Sequence, residues 1–265
     1  KIIATTELMV RVRKDAESLT EEERDRFLIA FAKLNNEDSF AKYRQFTQMH
    51  IENTDYEIHM YENFLPWHRL YLLNLERELQ RIDPSVALHY WRWDHPAPKL
   101  FSADFAGEMH VVQRDKNKGN RPYFSTSNPW RHWDTGEAPL LRSAYKWDLR
   151  KNGGYTVLEI RKTPEDIAIN MGEGKYRSLF WGDDRPRGCK PGYIFSTPHG
   201  GAHMSFRGQI ANIANAPQDP VFFMLHSNVD RIWALWQNRW DRFDPKSELS
   251  YSPQGLSNKR LLGFG

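Results

Sequence analysis

Cysteine is almost absent from this chain of 265 residues: Cys189 stands alone, which excludes an intramolecular disulfide and any metal site built from several thiolates. Long apolar runs are missing as well, and none approaches the roughly 20 residues that a membrane-spanning helix requires. The start shows no secretory-leader pattern, although Lys1 is not an initiator Met and a processed terminus stays open. Charge of one sign is scarce. The 37 basic and 34 acidic residues leave a net +3 and are interleaved, apart from the short basic loop Arg185 to Lys190, so nucleic acid is excluded as a partner. There is no G-x-G-x-x-G fingerprint, and with it goes a dinucleotide cofactor. The lack of disulfides leans toward the cytoplasm without settling the localisation.

Stability must then come from packing, and the chain is rich in the residues for it: 10 Trp, 11 Tyr and 15 Phe. Large rings suit a helical core, and a few suit a pocket for an aromatic ligand. The length fits one large domain or two small ones. Residues 95–198 carry little periodicity, no repeat and no clean linker, which favours a single domain over 1–265.

Helices dominate the periodic part. Leu8 to Arg13 alternates as a short edge strand. Thr20 and Glu23 form a capping box ahead of the stripe Phe27, Leu28, Phe31 and Leu34, predicting a helix over 20–35. A second helix from Ser39 places Tyr43, Phe46 and His50 on one face. A third begins near Asn63, tolerates Pro66 in its first turn, and buries His68, Tyr71, Leu72, Leu75 and Leu79, with Arg69, Asn74, Glu76 and Arg81 able to face solvent. Val86 to Trp93 reads as a buried strand or an irregular segment. Short helices are expected around 139–147 and 164–170. A last helix opens at Asp219-Pro220, an N-cap followed by proline at the first position, and puts His226, Val229, Asp230 and Trp233 on one inward stripe. The apolar ending Leu261 to Phe264 can pair with the amino-terminal strand.

A single inward histidine is by default a satisfied core residue. Here His199 and His203 lie four apart, on one helical face, upstream of His226, and His50, His59 and His68 are spaced by nine residues twice. Six of ten histidines thus fall into two groups of three, while His89, His95, His110 and His132 lack ligand spacing. Three imidazoles per metal without cysteine or carboxylate define a borderline nitrogen site. Zinc accepts three histidines, but copper suits two facing all-histidine sites better, since imidazole serves both its common oxidation states. Each metal keeps an open position, which fits electron exchange with O2 and oxidation of a phenolate or catecholate.

The chain resembles the tyrosinase family of type 3 copper proteins, which includes catechol oxidases and molluscan haemocyanin units. Phe64-Leu65-Pro66-Trp67-His68-Arg69 is similar to the first copper signature, and Asp219-Pro220 with Phe222, His226, Asn228-Val229-Asp230-Arg231 and Trp233 to the second. Val10 to Lys14, Tyr90 to Trp93 and Gly263-Phe264 resemble further landmarks, so the likeness covers nearly the whole chain and fits short bacterial members. It implies a mainly α fold whose central four-helix bundle holds a dicopper site amid extensive loops and a few short strands. It also implies two copper ions with O2 as cosubstrate, His50, His59 and His68 holding copper A, and His199, His203 and His226 holding copper B. Phe222 then lies near the copper A face, Asp230 orients a ligand histidine, and Ile213 belongs to the loop at the substrate entrance.

Departures bear on substrate. Many monophenol-hydroxylating members have Asn directly after the first copper B histidine and Glu about nine residues before it, a pair thought to hold a proton-accepting water. This chain has Gly200 and Lys190, and neither can act as that base. Met204 follows the second copper B histidine where a polar residue is common, Leu225 replaces a frequent histidine, and Glu57 stands where some relatives carry a thioether cysteine. The expectation is an oxidase converting o-diphenols to o-quinones with weak monophenol hydroxylation. A full tyrosinase, an o-aminophenol oxidase and a haemocyanin-like oxygen carrier stand as alternatives. The catalytic base, the oligomeric state and any copper-loading partner are left open.

Overall fold

The computed structural model describes residues 10–36, 41–54, 58, 59, 63–109, 119–136, 138–145, 147, 148, 156, 157, 174–176 and 199–251. Four long helices carry it: α1 (Glu21–Asn36), α2 (Ala41–Asn53), α3 (Phe64–Ile82) and α5 (Val221–Trp240), with the short α4 (Gly200–Met204) before the last. Helix α1 packs on α2 and α3, and α3 packs on α5. Four short strands, β1 (Arg142–Ala144), β2 (Trp147–Asp148), β3 (Thr156–Val157) and β4 (Phe206–Gly208), form two antiparallel pairs, β1 with β4 and β2 with β3.

The capping box of α1 is formed as the residues predict. Thr20 Oγ1 accepts from the Glu23 amide at 3.2 Å, and Glu23 Oε2 accepts from the Thr20 amide at 3.1 Å. Phe27 and Phe31 enter a ring cluster with Trp130, which Trp133, Tyr43 and Phe223 extend. Most of the abundant aromatics are thus core, where each removes a large apolar area from water.

Helix α5 starts one residue later than the N-cap reading implies, at Val221, but Asp219 still accepts from the Val221 amide at 3.0 Å. The helix ends at Asp241, whose φ of 51° places it in the left-handed cap conformation. Asp219 has a second task. It is fully buried and pairs with the equally buried Arg142, Nε to Oδ2 at 2.7 Å and Nη2 to Oδ1 at 3.2 Å.

That arginine lies in β1, so the helix expected over 139–147 is instead a strand with Arg142 opposite Gly208. Gly208, at φ 105°, fits because a Cβ there would sit 1.7 Å from the Leu141 carbonyl oxygen. The described part of the expected amino-terminal strand, Val10 to Arg13, forms no strand. Just beyond it, Asp15 makes a parallel bridge with Tyr90. Val10 and Val12 are exposed, while the half-buried Arg13 and the exposed Arg11 both reach Glu76 with their guanidinium groups.

Glu76 therefore departs from the solvent-facing reading. It is fully buried, bonded to Arg13 and to the Leu88 amide at 2.8 Å, because a buried carboxylate needs this pairing. Val86 to Trp93 is largely irregular chain. The expected helix at 164–170 and the carboxy-terminal pairing lie outside the described residues. No described helix is long and apolar enough to cross a membrane.

Candidate metal centre

Three elements bring the first group together. His50 comes from the last turn of α2, His59 from the connection to α3, and His68 from the first half of α3. The second group has His199 at the N-cap of α4, His203 within it, and His226 in α5. In each group one ligand nitrogen per histidine lies within 4.8 Å of the other two. Helix α1 supplies none of the six, so the bundle contributes through three of its long helices and leaves the rest to α4 and a loop.

Four of the ring orientations follow from hydrogen bonds to the backbone. Nδ1 of His68 reaches the Phe64 carbonyl at 2.8 Å, that of His50 the Ala214 carbonyl at 3.1 Å, and that of His59 the Thr54 carbonyl at 3.3 Å. Nδ1 of His203 reaches the Ile210 carbonyl at 2.7 Å. A carbonyl accepts only, so these contacts put the proton on Nδ1 and leave Nε2 as a lone pair. The Nε2 atoms of His50 and His68 are buried and bond nothing among the described residues.

Nε2 atoms of His199, His203 and His226 approach one another at 3.1–3.2 Å. Convergent imidazole nitrogens at that spacing fit one shared cation, whose tetrahedral edge at bond lengths of about 2.0–2.1 Å is roughly 3.3 Å. Burial, reinforced by neighbouring imidazoles, holds His50, His68 and His226 well below the usual histidine range. His59 and His203 are lowered, chiefly by burial, to about 4. At neutral pH these five are uncharged and ready to ligate.

The two groups are adjacent. His68 and His226 stack across the boundary at 4.4 Å and 15°. Phe64 lies 4.5 Å from His68 and 4.9 Å from His199. Phe222 stacks on His226 at 4.0 Å and stands 5.2 Å from His50, so it touches both groups and approaches the second more closely than a place on the copper A face implies.

With both triads and the helical frame in view, comparison with known proteins decides the family. The family model for the common central domain of tyrosinase matches residues 41–239. The chain belongs to the tyrosinase family. It is 32% identical over 241 residues to a tyrosinase of Streptomyces antibioticus, covering 86% of this chain and 83% of that one. To grixazone synthase of Streptomyces griseus it is 32% identical over 268 residues, with 87% and 85% covered. Among solved structures, a polyphenol oxidase mutant from Thermothelomyces thermophila superposes with a TM-score of 0.61 at 18% identity, over 86% of this chain and 70% of that one. An octopus haemocyanin functional unit gives 0.60 at 19% identity, over 88% and 54%. Tyrosinase-family membership makes the protein a type 3 copper oxidase with two copper ions and O2 as cosubstrate.

Other residues singled out in the sequence have separate places. Gly200 opens α4, half-buried beside His199. Met204 is 50% and Ile213 64% exposed. Lys190 and His110 lie outside the described residues. Asp230 does not orient a histidine: its carboxylate bonds Arg13 at 2.9 Å and Arg69, because α5 turns that side chain toward the arginines of α3 and the amino-terminal segment. His89 is structural, its Nδ1 accepting from the Lys14 amide at 3.3 Å. The carbonyls of Ile210 and Ala214 went unseen in the sequence, since a backbone acceptor leaves no side-chain signature; together they make one loop the anchor of a histidine in each triad.

Proposed function

We propose that His50, His59 and His68 hold one copper ion, that His199, His203 and His226 hold the other, and that the protein oxidises small o-diphenols to o-quinones with weak hydroxylation of monophenols. The observation that carries the ligand assignment is the convergence of six imidazoles on two adjacent points, four of them anchored to backbone carbonyls. The copper pair, when bound, supplies electron exchange with O2. In the overall reaction two diphenols lose four electrons and four protons, and O2 leaves as two waters.

The protein's own part is orientation and exclusion. The hydrogen bonds of His50, His59, His68 and His203 prevent ring rotation and keep Nε2 free to ligate. Phe64 and Phe222, both buried, wall the triads with apolar surface that keeps out water. Gly200 offers no side-chain acceptor beside His199, so a water there lacks a holder that would take a monophenol proton. A diphenol needs no new C–O bond, and its oxidation tolerates this loss.

The deciding experiment is oxygen uptake by copper-loaded protein given a catechol, the matching monophenol or an o-aminophenol, with zinc-loaded protein and His226→Ala as controls. Fast uptake with the catechol and little with the monophenol is expected. Equal rates with both would make it a full tyrosinase, and preference for the aminophenol would replace the substrate class. Reversible O2 binding without turnover would mean a carrier.

A further inference from the structure

Asn63 occupies the N-cap of α3, the position whose side-chain oxygen ordinarily accepts from an amide of the first turn. Its side chain makes no such bond. Instead, Asn63 Oδ1 accepts from the hydroxyl of Tyr251 at 2.8 Å, across a sequence separation of 188 residues. Asn63 is only 4% exposed while Tyr251 is half-buried, so this contact is part-buried.

Tyr251 belongs to the segment that follows α5. Its ring packs 5.2 Å from Tyr176 and edge-on to Trp233 at 6.5 Å, and the Tyr176 amide donates to the Leu249 carbonyl at 2.9 Å. Trp233 sits on the helix that carries His226. Asn63 directly precedes Phe64, whose carbonyl fixes His68 and whose ring packs on His199. The hydroxyl therefore bridges the packing around α5 to the first residues of α3, and so connects the helices that present His226 and His68.

We propose that Tyr251 is a positioning residue for the paired histidine triads, acting through Asn63: its hydroxyl holds the start of α3 in the register that directs His68 and Phe64 toward the second triad. The Tyr251–Asn63 bond, joining residues 188 apart in sequence at the start of α3, is the observation that carries this reading. The inference rests on the triads being the copper ligands, and it adds a residue that touches neither metal nor substrate.

The test compares Tyr251→Phe, Asn63→Leu, their double variant, and Asn63→Asp, which keeps an acceptor for the hydroxyl. Copper release to a competing chelator is followed in the loaded proteins and thermal unfolding in the copper-free ones. Asn128→Ala serves as a control for general destabilisation, since Asn128 bonds the Ala103 and Phe105 carbonyls away from both triads. Tyr251→Phe and Asn63→Leu are expected to release copper about tenfold faster, at the lower end of what support behind a metal ligand is worth. The double variant should be no faster than Asn63→Leu, and Asn63→Asp should stay within about twofold of the parent. Unchanged release, additive effects of the two single variants, or acceleration equal to that of a similarly destabilised Asn128→Ala would each overturn the proposal. A parent that binds fewer than two copper ions would overturn the ligand assignment instead, a failure visible before any variant is made.

Discussion

Gly200 and the Arg142–Asp219 pair show how far one residue sets behaviour at this scale. Installing the missing pair, Gly200→Asn with Lys190→Glu, should raise monophenol over diphenol kcat/KM by roughly 10²-fold, the low end for a positioned base; an unchanged ratio would mean that Gly200 does not limit hydroxylation. The ion pair concerns stability. Both Arg142 and Asp219 are fully buried, and Arg142 also donates to the Ala106 carbonyl at 2.6 Å. Arg142→Met leaves a carboxylate in the interior without its cation and should cost about 3–5 kcal/mol, measured as a lowered urea midpoint. A loss below about 1 kcal/mol would show that water or rearrangement reaches Asp219.

Elements were legible wherever local chemistry determined them. The capping box announced α1, and Thr20→Ala should cost about 1 kcal/mol in chemical denaturation; no loss would mean that tertiary packing alone holds that end. Apolar periodicity likewise revealed α2, α3 and α5, and histidine spacing separated the six clustered imidazoles from the other four. What stayed hidden depends on partners distant in sequence. Arg142 lies in β1 because Gly208 and Asp219 await it, 66 and 77 residues downstream, and neither partner can be read from the stretch 139–147. Glu76 looked solvent-facing on its own helix, yet Arg13 and the Leu88 amide cover it. The alternation of Val10 to Arg13 marked no apolar face: both valines are exposed, and the half-buried residue is Arg13. Asp230 sits on the expected stripe, and only the tertiary arrangement shows that arginines claim it.

Across the whole molecule, neutral buried histidines contribute to the response to acid, and His89 isolates their effect because it lies apart from the triads. Burial lowers it to about 4, opposed by Glu23 and aided by Lys14, and its Nδ1 must stay unprotonated to accept the Lys14 amide. The unfolded chain takes up this proton near pH 6.5, whereas the folded chain resists until about pH 4. Between those values the unfolded state binds more protons, so stability falls as pH falls. For His89 alone the loss accumulates to about 3 kcal/mol, complete below the folded value and absent above pH 6.5. His89→Gln preserves an acceptor for the amide without titrating. In copper-free protein it should therefore flatten the fall in unfolding free energy by about 1.4 kcal/mol per pH unit near pH 5, while the triad histidines continue to contribute theirs. A variant as acid-sensitive as the parent would show that His89 is protonated in the folded chain, which its bond from Lys14 does not allow.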